Sequence, residues 1–377
     1  MDLRGQLPEV SAYYFNLGSG SGNSPVSDAG VANFQRLRIM SSPEVGPLTL
    51  DVAYEHTLLL HSTDVLGTAS GILVPEASGN WLTLGWTVDD GEHFSWRHRF
   101  DRLSLDLPLG DAVEVSVGRQ VVSWASTFIL TPTDPFTPFD PADPFREYRA
   151  GVDAFRFRAY PGAFTEIDVV VRPISTMDGD QVTALARAKT NWRGWDFAAW
   201  GGVLFDEPVG ALSLVGELGP WAARTEVAVR SEANDVIVRG TLGVDRRFSV
   251  SGRDLYLIAE YQHDGFGAGD AGELLGVLMS DPFQRGELQV LSRDALAVQA
   301  SYQIHPLWGI DLLTITSLVD GSGLLSGGGS WSVGSNSSLR GGFFLGFGDD
   351  TVDPVTGFGS EFGGRPSVGY VSVSHFF

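Results

Sequence analysis

The chain has 377 residues, a formal net charge of −21 and no cysteine. Absence of cysteine excludes disulfides, thiolate metal sites and a cysteine nucleophile, and the acid excess argues against a nucleic-acid partner. No run of eighteen apolar residues occurs, which excludes a transmembrane helix; a membrane β-barrel needs no such run. No charged-then-apolar leader opens the sequence, so a signal peptide was removed or never existed. Lys189 is the only lysine among 25 basic residues, which reads as GC-rich codon usage or as a demand for fixed bidentate donors.

Helical periodicity is nearly absent and alternation with period two runs almost throughout. Leu3 to Leu17 reads as a first strand, followed by the loop GSGSGNSPVSDAG. Val31 to Met40 carries Arg36 and Arg38 on one face and Val31, Leu37 and Ile39 on the other. Leu48 to Leu60 is a third strand, and a long connection to about Glu92 contains WLTLGWTV, which has no assigned place. Phe94 to Leu107 switches parity between Phe100 and Leu103, so a bulge is expected near Asp101–Arg102. Val113 to Trp124 follows, with Val113, Val115 and Val117 opposite Glu114 and Ser116. From Val152 the alternation is regular: Arg156 and Arg158 oppose Phe155 and Phe157, Asp168 and Arg172 oppose Val169 and Val171, and Arg187 and Lys189 oppose Ala186 and Ala188. Later strands place Arg224, Glu226 and Arg230 opposite Val227 and Val229, and Arg239 opposite Val238. The chain ends on a strand at Val368–Phe377.

Connections alternate between short turns (PLGD, PGAF, TNWRG, ELGPW, SVSGRD, IHPLW, GSNSS) and longer ones at 19–29, 61–92, 125–150, 174–181, 263–293 and 348–365. Short turns on one rim and long loops on the other are expected of an outer-membrane barrel. The count is eighteen strands, with both termini on the short rim. Trp192, Trp195, Trp221, Trp308 and Phe377 fall near that rim, as an aromatic girdle requires. The expected fold is therefore all-β, a single transmembrane antiparallel barrel over residues 1–377. A soluble all-β protein is the competing reading.

One stretch breaks the alternation. In TPTDPFTPFDPADPF, prolines recur every three residues from Pro132 to Pro144. A polyproline II helix stacks such prolines on one edge, leaving an aromatic edge (Phe136, Phe139, Phe145) and an acidic edge (Asp134, Asp140, Asp143). Lying in the long-rim loop 125–150, this rod is expected to fold inward as a constriction, its acids facing a basic wall and Arg146 and Arg149 anchoring its exit. An external lid or partner-docking surface is the alternative.

The terminal YVSVSHFF resembles the last strand of bacterial outer-membrane β-barrels, which ends in Phe with alternating apolar positions before it; here those are Phe377, Val373 and Val371. The resemblance implies insertion by the barrel-assembly machinery through Phe377 and a surround of outer-membrane lipid and lipopolysaccharide. Within that class, eighteen strands with arginine-bearing inner faces look most like the alginate-export porins.

If the apolar faces meet lipid, the lumen is lined by Arg36, Arg38, Arg97, Arg99, Arg156, Arg158, Arg172, Arg187, Lys189, Arg224, Arg230 and Arg239. Inward acids read as Asp101, Glu114, Glu166, Asp168, Asp196, Glu226 and Glu260. Placing arginines inward avoids roughly 2–4 kcal/mol each at the membrane midplane. A basic lumen selects an anionic solute or polysaccharide, although arginine–carboxylate ladders also merely brace barrels. The histidines have no metal-ligand spacing, the rod's aspartates lack an EF-hand pattern, and no cofactor site or enzyme active site is legible. A barrel that sheathes or docks a protein partner, such as an electron carrier or secretion component, is the rival to a channel.

Overall fold

The computed structural model describes residues 9–18, 30–62, 79–136, 149–176, 179–232, 235–353, 357–365 and 367–376. Twenty strands form one sheet, and eighteen of these close a ring. They are β1 Glu9–Gly18, β2 Gly30–Ser41, β3 Leu48–His61, β4 Phe94–Pro108, β5 Val113–Gln120 and β6 Val152–Gly162. Next come β7 Thr165–Thr176, β8 Gly179–Trp192, β9 Trp195–Leu204, β10 Glu207–Leu218, β11 Trp221–Glu232 and β12 Asp235–Val250. The last six are β13 Arg253–Asp264, β14 Asp294–His305, β15 Trp308–Ser317, β16 Gly323–Ser332, β17 Ser337–Phe347 and β18 Ser367–Phe376. Each strand pairs antiparallel with its sequence neighbour, and β18 pairs with β1 from Ser367↔Gly18 to Phe376↔Glu9. A closed ring leaves no edge with unpaired backbone groups, which is what a bilayer demands of a β structure.

Alternation sorts the side chains as the pattern requires. On β11 and β12, Val227, Val229, Val238 and Leu242 are exposed on the outside, whereas Glu226, Arg230, Arg239 and Thr241 are buried within. On β18, Val371 and Val373 face out. Phe377 lies outside the described residues. At the short rim Phe164 and Trp192 project outward, and Trp308 stacks on Trp331 with centroids 5.0 Å apart. These aromatics mark the membrane–water boundary. Among the described residues no helix is long and apolar enough to cross a membrane; the outward apolar faces belong to strands.

The parity switch in β4 has the expected cause: Ala53 pairs with Arg102 but Tyr54 with Phe100, leaving Asp101 as the extra residue of a bulge. The segment left without a place supplies a strand, Gly85–Gly91, which pairs with the upper edge of β4. Residues 79–84 leading into it are pinned by Arg119, whose guanidinium bonds Asp153 and the carbonyls of Leu82 and Phe100. A two-residue strand, Glu44–Val45, pairs with the start of β3 at the short rim.

Three expectations are corrected. The connection read as 174–181 is only two residues long, because β7 runs to Thr176 and β8 starts at Gly179. The connections after β9 and β11 are equally short, so the long rim is low across β7–β12. At 205–206 the left-handed dihedrals of Phe205 and Asp206 (φ 53° and 65°) make a tight hairpin without glycine. The fifth strand stops at Gln120 rather than Trp124. Two residues earlier, the φ of Gly118 (118°) and the 2.3 Å that would separate a Cβ from the Leu103 carbonyl oxygen admit only glycine; after Gln120 the chain leaves the wall.

Candidate functional site

After Gln120 the chain turns into the barrel, and Val122, Trp124, Ile129, Leu130 and residues 131–136 are all buried. Wall carboxylates receive it in succession. Trp124 donates its indole N–H to Asp168 on β7 at 2.9 Å. Ser126, through its backbone N–H and hydroxyl, and Thr133, through its hydroxyl, donate to Glu226 on β11. The backbone N–H groups of Phe128, Ile129 and Leu130 donate to Glu260 on β13 at 2.7, 2.8 and 2.8 Å. From β7 to β13 is six interstrand spacings, roughly 29 Å of arc at about 4.8 Å each. The six steps from Trp124 to Leu130 reach at most about 21 Å. The segment therefore cuts a chord across the lumen, and the side chains of Trp124, Glu226 and Glu260 reach the remaining distance. Glu226 and Glu260 lie near mid-strand, and Asp168 lies nearer the short-rim end of β7.

Two further loops meet it from the long rim. Gln289 in the connection 265–293 accepts from Thr131 N–H and donates to the Ile129 carbonyl at 3.1 Å. Glu361, in the connection before β18, accepts from the N–H groups of Leu291 and Ser292. Ile129, Leu130, Val290 and Phe362 pack with inward Phe34, Leu59, Ala295, Ala297 and Ile315 into one apolar cluster. The three loops thus meet one another and pack on the same inward wall residues.

The described half of the proline stretch is not an extended rod. Asp134 N–H donates to the Thr131 carbonyl at 3.1 Å, closing a turn, and Asp134 Oδ1 accepts from Phe136 N–H; polyproline II has no such internal bonds. Nor does Asp134 face the wall: it pairs with Arg149 at 2.8 Å and accepts from Ser123, both in its own connection. Phe136 lies edge-on against Trp124, centroids 5.0 Å apart. Phe139, Asp140, Asp143 and Arg146 lie outside the described residues.

The wall arginines are held by more acid than the alternation revealed. Arg38 pairs with Glu55 and Asp101, and Arg99 with Glu55. Arg156 and Arg187 share Asp168, Arg187 also taking Glu166, and Arg158 pairs with Glu114. Arg224 pairs with Asp245 and stacks over Phe128 at 4.1 Å. Arg230, Arg239 and Arg285 converge on Glu287, with Glu232 and Asp264 alongside. Glu55, Asp245, Asp264 and Glu287 were missing from the sequence tally, so the wall is close to a neutral ladder. Arg172 is buried on β7, within the field of Asp153 and Arg119.

Strands β2–β4 carry Arg36, Arg38, Arg97 and Arg99 with Glu55 and Asp101 among them, and Asp51 and Asp106 nearer the short rim. Arg38 is fully buried, whereas Arg99 and Arg97 are partly open to the lumen. The Arg97 guanidinium bonds Ser95 through Nε and meets no carboxylate among the described residues. Among those residues no group of His, Asp and Glu side chains could hold a metal ion.

No protein-family model matches the chain, and no curated protein matches its sequence. Solved structures match along the whole length. A BenF-like porin from Pseudomonas fluorescens is 13% identical, with 99% of this chain and 98% of that one covered and a TM-score of 0.57. OpdK of Pseudomonas aeruginosa, solved with vanillate, is 13% identical over 99% and 98%, TM-score 0.54. OccK2 of the same organism, in complex with glucuronate, is 12% identical over 99% and 98%, TM-score 0.52. At these identities the likeness is one of fold: this chain has the fold of a bacterial outer-membrane porin.

Proposed function

We propose that the chain is an outer-membrane channel that passes small anionic solutes past the β2–β4 arginines. The observation that carries this is Arg97 on β4, whose guanidinium is partly open to the lumen and meets no carboxylate among the described residues, beside the partly open Arg99. A carboxylate entering there exchanges water for guanidinium donors.

The resemblance to alginate-export porins rests on eighteen strands and inward arginines, and both features are present. The three loops in the lumen favour a small carboxylate over a polymer, because a chord and two docked loops leave little clear bore. The vanillate and glucuronate bound in two of the matched porin structures are solutes of that size and charge. Assembly through Phe377 and a surround of lipid and lipopolysaccharide belong to the same reading.

The test is the reversal potential of the purified barrel in a planar bilayer under a salt gradient. Anion preference is expected, and Arg97→Ala should weaken it while leaving heat-modifiable migration on a detergent gel intact. Cation preference in the unaltered protein would overturn the proposal.

A further inference from the structure

The lumen has a second wall that the arginine reading does not use. From β14 to β18 the inward positions at and below mid-depth are mostly hydroxyls, amides and glycines, with Asp311 and Arg340 as charged members. One row, fixed by pairing register, runs Ser301, Asp311, Gly328, Gly342 and Tyr370 across five strands. Towards the short rim the next row runs Gln303, Gly309, Ser330, Arg340 and Ser372.

Asp311 stands apart within it. Other inward carboxylates have a partner: Glu55 and Asp168 an arginine, Asp106 the Ser116 hydroxyl, Glu260 three backbone N–H groups. The Asp311 carboxylate has neither ion pair nor hydrogen bond among the described residues, and it is only half-buried. Beside it the glycines leave a recess: a Cβ on Gly328 would lie 3.4 Å from both Asp311 Oδ2 and the Tyr370 hydroxyl. A cavity of about 380 Å³ opens over this wall, bordered by Arg247, Tyr256, Ser301, Gln303, Asp311 and Ser330. That volume is within the range of small-molecule sites.

An ionised carboxylate accepts hydrogen bonds only, so its natural guest presents O–H groups, and Ser301, Gln303 and Ser330 can both donate and accept. We propose that the Asp311 recess is a hydroxyl-binding subsite, so that the channel takes hydroxylated carboxylates of the sugar-acid type. Such a solute is oriented with its acid on a lumen arginine and its hydroxyls on Asp311. The orientation rests on the anion reading above; the hydroxyl subsite does not.

Three probes separate the two ideas in single-channel recordings on the whole barrel: D-glucuronate, benzoate and uncharged D-glucose. In the unaltered protein glucuronate should interrupt the current for longer than benzoate, and glucose should give brief interruptions. Asp311→Ala should shorten the glucuronate events about tenfold, the worth of one hydrogen bond to a charged acceptor. It should abolish the glucose events and leave benzoate unchanged. Ser330→Ala should act in the same direction if Asp311→Ala fails to insert. Arg97→Ala should shorten glucuronate and benzoate events alike. If neither anion binds but glucose does, the anion reading fails and the subsite stands. Equal residence of glucuronate and benzoate, or glucose events untouched by Asp311→Ala, overturns the subsite.

Discussion

Glu260 is the most consequential single anchor of the chord, and its removal can be followed quantitatively. Its carboxylate takes three consecutive backbone N–H groups, those of Phe128, Ile129 and Leu130. Hydrogen bonds to a charged acceptor contribute about 1.5–3 kcal/mol each. Three that share one carboxylate do not add fully, because each competes for the same charge. A loss of about 3–5 kcal/mol in seating free energy is therefore expected for Glu260→Ala, some two to four powers of ten in the seated-to-unseated ratio. Glu226 still holds Ser126 and Thr133, and Gln289 still holds Ile129 and Thr131, so the chord should loosen in its middle rather than leave. Single-channel recordings should give higher mean conductance with rapid flicker. Glu260→Gln, which keeps one acceptor but turns an amide N–H₂ towards donors, should fall between. The barrel itself should remain heat-modifiable, since its closure depends on backbone pairing elsewhere. Conductance and noise identical to the unaltered protein would refute the claim that this carboxylate holds the chord.

Two other outcomes follow from the ion pairs and the rim. Arg38 is fully buried between Glu55 and Asp101; Arg38→Met leaves two buried carboxylates with less compensation and should cost about 3–5 kcal/mol in unfolding free energy, read from the urea midpoint. Arg158→Met, at a pair with both members about a quarter exposed, should cost at most about 1 kcal/mol in the same assay. Equal costs would contradict the burial argument. At the long rim, burial pushes the Asp320 carboxyl up, but the donors Ser322 and the Glu361 N–H together outweigh it and hold the group below its ordinary range. A depressed carboxylate contributes stability above its unfolded pKa of about 3.9, and that contribution is lost as pH falls through the lower, folded value. Current noise from the Asp320–Glu361 contact should therefore be the same at pH 7 and pH 5 and rise only in stronger acid; a rise already near pH 6 would contradict the assignment.

What the sequence made legible divides along a physical line. Period-two alternation is a local property of each strand, so the inward and outward faces, the Asp101 bulge and the ring of eighteen could all be read before any coordinates. Charge pairing is not local. Glu55 and Asp245 each sit in a strand whose neighbours gave no reason to count them, and only the register that sets Glu55 beside Arg99 and Arg38, or Asp245 within reach of Arg224, turns a basic wall into a near-neutral ladder. The chord failed for a related reason. A proline every third residue is compatible with a straight rod, but Glu226 and Glu260 offer the backbone of this segment acceptors that water would otherwise supply. Once Ser126, Phe128, Ile129 and Leu130 are bound there, the chain bends at Thr131–Asp134 to follow the anchors rather than its own proline period. A porin wall of this kind is thus read best where strands dictate side-chain direction. It is read worst where carboxylates on distant strands compete for the same loop, and that competition is also what would set the width of the passage.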